Sequence, residues 1–139
     1  MRVRSYEGVA AAFYQYREVL REVSESPRNG VEFSKQVLRV WKSHEIWNKR
    51  LSSLWLHGSK QAVVTAYELD HELAKLGEWI LVHPIPEAEW AERKEPAQKR
   101  FDDYVDAVRK DLALPSLKDV RAGAPSRLTP PPSSPPGAT

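Results

Sequence analysis

Few residues in this chain have the types and spacing that chemistry needs. Glu68-Leu-Asp-His71 sets a carboxylate and an imidazole one helical turn apart. Di-iron carboxylate bundles use that spacing, but they need two such motifs plus two further glutamates on facing helices. No second Glu-x-x-His occurs. Glu68 and His71 also fall opposite the Leu69, Leu73, Leu76 seam, so they are expected at the solvent face and neither a metal nor another cofactor is expected. Arg39 with His44, and Arg50 with His57, pair a possible phosphate clamp with a possible general acid or base. Arg39 projects outward from its helix, however, while His44 projects to the core, which splits the first pair. His44 stands at a seam position between Val40 and Trp47, where a histidine needs a hydrogen-bond partner. A hairpin turning at Gly58-Ser59 brings Asp70 to nearly the same height. His44 and Asp70 are therefore the expected buried polar pair, with Tyr67, one turn nearer the hinge, as the other partner for the ring.

A second set of residues reads as a surface. Lys35, Arg39, Lys42 and Lys49 form a stripe opposite the core seam of the second helix, joined by Arg50. Residues 31–57 carry five Lys and Arg against Glu32 and Glu45, a net +3. Ile46 lies within the stripe, and Val31 and Leu56 flank it. An exposed apolar residue framed by cations suits contact with a protein, or with phosphates. Trp79 projects from the back of the third helix and is the candidate interface anchor. Trp41 falls at the edge of its face, while Trp47, Trp55 and Trp90 fall on core faces.

The elements that carry these residues follow from hydrophobic period. A chain of 139 residues with 41% hydrophobic and 29% charged residues is one ordinary globular domain. Tyr6, Val9, Phe13, Tyr16, Leu20 and Val23 mark one face of a first helix. Turn residues over 24–30 end it. Phe33, Val37, Val40, His44, Trp47, Leu51 and Leu54 mark the second, with Gly58 expected in the left-handed C′ position and Ser59 as the next N-cap. Ala62, Ala66, Leu69, Leu73, Leu76 and Ile80 mark a third. Trp90, Ala97, Phe101, Tyr104, Val108 and Leu112 mark a fourth, with Pro96 either kinking it or starting it anew.

The predicted fold is all-α: an antiparallel up-down four-helix bundle over 1–114, with a disordered proline-rich tail over 115–139. Seven of the eleven prolines lie at or after Pro115, and such a segment buries too little apolar surface to order itself. No cysteine is present, which excludes disulfides and thiolate sites. No apolar run approaches the roughly 20 residues of a membrane span, and the expected location is cytoplasmic.

The runs Leu54-Trp-Leu-His-Gly-Ser-Lys-Gln-Ala-Val-Val-Thr-Ala66 and Phe101-Asp-Asp-Tyr-Val-Asp-Ala-Val-Arg-Lys-Asp-Leu112 resemble an uncharacterised group of bacterial helical domains common in actinobacteria. There a Leu-Gly-Ser turn joins the two middle helices. The resemblance spans roughly residues 4–114 and implies a four-helix bundle with no assigned chemistry. Many members carry a membrane helix ahead of the bundle; no such segment is read in these residues, so a membrane role is not expected to carry over. In class and arginine–histidine spacing alone, the chain also resembles the HEPN group of small helical-bundle ribonucleases. With no convergent catalytic group, the leading reading is a non-enzymatic protein-interaction or regulatory module, its partner another protein or a second copy. The alternative is a nucleic-acid-linked bundle, ribonuclease-like or binding through the basic face.

Overall fold

The computed structural model describes residues 2–83, 86–117 and 120. Four helices follow in order: α1 (Arg2–Ser24), α2 (Gly30–His57), α3 (Lys60–Val82) and α4 (Glu87–Asp111). No strand occurs among the described residues. Cross-helix pairs show the antiparallel course directly. Ser5 meets Ser53 and Glu22 meets Arg39 between α1 and α2, while Glu68 meets Arg100 between α3 and α4. The expected proline-rich tail lies outside the described residues, apart from its start. There the Leu117 N–H donates to Asp106 and the Arg109 guanidinium to the Pro115 carbonyl, tying residues 115–117 back onto α4.

Burial follows the apolar seams. All six seam residues of α1 and all six of α3 are buried. On α2 only Val40, Trp47, Leu51 and Leu54 are buried, and Phe33, Val37 and His44 are half-buried. The helices pair mainly as two hairpins, α1 with α2 and α3 with α4. α1 and α3 approach each other across the bundle axis, whereas α2 and α4 make no close approach. The section is thus a rhombus with α2 and α4 at its far corners. Gly77 of α3 sits where Tyr16 and Leu20 of α1 come closest.

Three local expectations are resolved. Ser59 caps α3, accepting the Ala62 N–H at 3.2 Å. Gly58 is not left-handed: its φ of −84° and ψ of 164° are extended backbone. Its glycine is required by crowding instead, since a Cβ there would stand 2.8 Å from Leu54 Cδ1 and 2.9 Å from the Leu54 carbonyl oxygen. The left-handed glycine is Gly30, at φ 70°, on entry to α2. Pro96 neither ends nor restarts a helix, because α4 runs through it as one element.

The two hairpins are joined by polar bonds at both ends. The Tyr6 hydroxyl donates to Asp111 at 2.6 Å and accepts the Ser59 N–H at 3.0 Å, linking α1, the α2–α3 turn and the end of α4. At the other end Arg28, in the α1–α2 connection, donates to the Ile80 and His83 carbonyls at the end of α3, where unpaired carbonyls favour a cation.

Candidate interaction surface

The expected His44–Asp70 pair does not form: each bonds to a different side chain. The His44 Nδ1 is 3.3 Å from the Tyr16 hydroxyl of α1. Asp70 accepts the indole N–H of Trp47 at 2.8 Å. The reason lies in the rhombic packing: α1 lies over the His44 level, and Trp47, one turn nearer the hinge, reaches the α3 carboxylate first. Tyr67, the other expected partner, packs edge-on to Trp55. Tyr16, Trp47, His44 and Asp70 therefore form one polar node inside the contact of three helices. Burial, and then the charge of Asp70, push the Tyr16 hydroxyl up to about 12. The Tyr16–His44 bond joins α1 to α2 and the Trp47–Asp70 bond joins α2 to α3, so the node fixes the register of the three helices.

The basic stripe divides into paired and unpaired cations. Arg39 is bound to Glu22 and Gln36, and Lys35 stands 3.9 Å from Glu32. Lys42 and Lys49 make no ion pair among the described residues. Ile46 is exposed between them, as expected. Trp79 is only 37% exposed, because it stacks on His83 and holds the Arg93 guanidinium 4.1 Å from its ring centre. That ring serves the α3–α4 connection.

The larger apolar surface is one that periodicity undervalued. Trp55, expected on the core face, is 65% exposed, and Trp41 is 62% exposed and Leu38 59%. Both tryptophans stand one residue past a buried seam residue (Trp41 after Val40, Trp55 after Leu54), and Leu38 one past half-buried Val37, so all three lie about 100° round the helix from the seam. A third neighbour is needed to cover that flank, and α4 is at the opposite corner of the rhombus. Trp55 continues the strip onto α3, where Tyr67 and Val64 line a shallow groove with it. Leu38, Trp41, Lys42, His44, Glu45 and Asn48 line a second depression along α2.

Of the two arginine–histidine spacings, Arg39 and His44 are separated, as their faces require. Arg50 and His57 line one concavity, with Arg4, Ser5 and Ser53. Glu68 pairs with Arg100 at 3.7 Å, and His71 is exposed on the same outer face of α3. Among the described residues, no three His, Asp or Glu side chains are placed to hold a metal ion, and no helix is long and apolar enough to cross a membrane. Compared with protein-family models, curated proteins and solved structures, the chain matches none.

Proposed function

We propose that this domain is a non-enzymatic protein-interaction module that receives an amphipathic helix of a partner protein on the free flank of α2. The carrying observation is the exposure of Leu38, Trp41 and Trp55, each more than half exposed on a helix that buries only Val40, Trp47, Leu51 and Leu54. Large exposed aromatic residues beside a groove are the usual anchors of helix-in-groove recognition. Lys42 and Lys49 run along one edge of the strip without carboxylate partners. They suit a partner helix with an acidic margin. A phosphate backbone would engage the same lysines, but it leaves Leu38 and Leu56 without a role. Kinship with the bacterial helical-bundle group is part of the proposal, resting on the 54–66 run at the α2–α3 turn and the 101–112 run at the packed end of α4.

The test places a photoreactive amino acid at Trp41, and in a second protein at Lys99 on the outer face of α4. Position 41 should form an adduct with one polypeptide, at a segment with helical apolar period and an acidic edge, and position 99 should not. Lys42→Glu with Lys49→Glu should abolish the adduct. Adducts with nucleic acid, with a second copy of this chain, or equally from both positions would reject the reading.

A further inference from the structure

The concavity lined by Arg4, Ser5, Arg50, Ser53 and His57 has a volume of about 380 Å³ and lies on the α1–α2 seam, away from the Trp41 strip. Its two walls are single helix ridges. Arg50, Ser53 and His57 follow at steps of three and four on α2, and Arg4, Ser5 and Gly8 face them from α1. Gly8 makes the approach possible. A Cβ at that position would be 3.1 Å from Arg50 Cδ and 3.6 Å from Arg50 Nε, so the arginine stem lies flat across a bare stretch of α1. At the floor the Ser5 and Ser53 hydroxyls are 3.0 Å apart, and Ser5 is buried.

Charge makes this arrangement unusual within the molecule. Of the ten arginines among the described residues, eight bond or stack with a carboxylate, an amide, a carbonyl oxygen or an aromatic ring. Arg4 and Arg50 are the two that do not, and both line this one concavity. Glu7, one turn along α1 from Arg4, pairs with neither. Two guanidinium groups and an imidazole thus share a recess with no compensating carboxylate. Like charges so placed repel unless an anion joins them.

We infer that this recess binds a terminal phosphate group, held by the forks of Arg4 and Arg50 with His57 and the Ser5–Ser53 hydroxyls completing the donor set. A phosphate monoester presents three terminal oxygens, which matches two planar forks plus hydroxyl donors better than a carboxylate with two. At about 380 Å³ the recess has room for more than a phosphate alone, so the phosphate is an end group on a small molecule or on an oligonucleotide.

Amide chemical shifts should be followed while inorganic phosphate is added at constant ionic strength. The Ser5, Gly8, Arg50 and Ser53 amides should move to saturation. Arg4→Gln and Arg50→Gln should each weaken binding by about tenfold, as expected for loss of a charged hydrogen-bond pair, with folding unchanged. Arg50→Lys should lose part of that, having charge without the fork. Lys42→Glu with Lys49→Glu should leave phosphate binding intact, which separates this site from the interaction strip. Glycerol phosphate is then compared with a short oligonucleotide carrying a 5′-phosphate or a 5′-hydroxyl. Preference for the small ester, or for the phosphorylated over the hydroxyl end, identifies the source, and either result supports the site. Shifts that fail to saturate, that chloride reproduces, or that survive both glutamine substitutions would overturn it.

Discussion

Tyr16 shows how one side chain can set the register of three helices. It is 3% exposed, its hydroxyl meets His44 of α2, and it feels the carboxylate of Asp70 on α3. Its folded-state pKa, about 12, lies above the ordinary tyrosine value of 10.0. The folded protein therefore holds this proton longer than the unfolded chain. The associated stability is fully present below pH 10 and is lost as pH rises toward 12. A shift of this size corresponds to about 2–3 kcal/mol. Alkaline denaturation should accordingly start near pH 10, and Tyr16→Phe should flatten the loss between pH 10 and 12 while costing about 1 kcal/mol at neutral pH for the missing hydrogen bond. Chemical denaturation at several pH values measures both; an unchanged alkaline slope would remove Tyr16 from the account. The sequence alone made the polar node legible in part. His44 on a core seam demanded a partner, and hairpin height brought Asp70 to within a turn of it. It could not say that the Trp47 indole reaches Asp70 first, because that depends on how far α1 leans over α2.

The helices themselves were legible wherever both flanks of a seam are covered. Every seam residue of α1 and α3, the two helices on the short diagonal, is buried. Prediction weakened on α2, where the period marks a face but not how wide a neighbour will cover it, and Trp55 came out exposed for that reason. Gly58 is a steric glycine rather than the conformational one its position at the helix end suggests, a distinction set by where the Leu54 side chain and carbonyl lie. Pro96 divides α4 in function though not in path. The buried residues Ala97, Phe101, Tyr104 and Ala107 all follow it. The turns before it are held by half-buried Trp90 and by Arg93 over Trp79. A proline at this depth removes the hydrogen bond to the Glu92 carbonyl and crowds that turn, at a cost of up to about 3 kcal/mol. Since Pro96 is exposed, Pro96→Ala should stabilise the domain by about 1–3 kcal/mol in thermal or denaturant unfolding. A loss of stability would mean that the proline directs α4 onto α3.

At the scale of the molecule, the rhombic section separates support from display. α1 and α3 are consumed by the core, and α2 and α4 are left at the corners with free outer flanks. Charge divides along the same line. The α1–α2 hairpin has an excess of Lys and Arg, and the α3–α4 hairpin an excess of Asp and Glu. The two most exposed tryptophans, Trp41 and Trp55, lie on the basic side, where the proposed acidic partner helix would dock. The decisive measurement is the affinity of that helix, once identified by the Trp41 adduct, for the wild-type domain and for Trp41→Ala. Central aromatic anchors cost about 2 kcal/mol or more when truncated, so the dissociation constant should rise at least about tenfold while the melting temperature stays put, since Trp41 is 62% exposed and outside the core. An unchanged affinity, or a lost affinity accompanied by a large fall in melting temperature, would contradict the assignment of this flank as the binding surface.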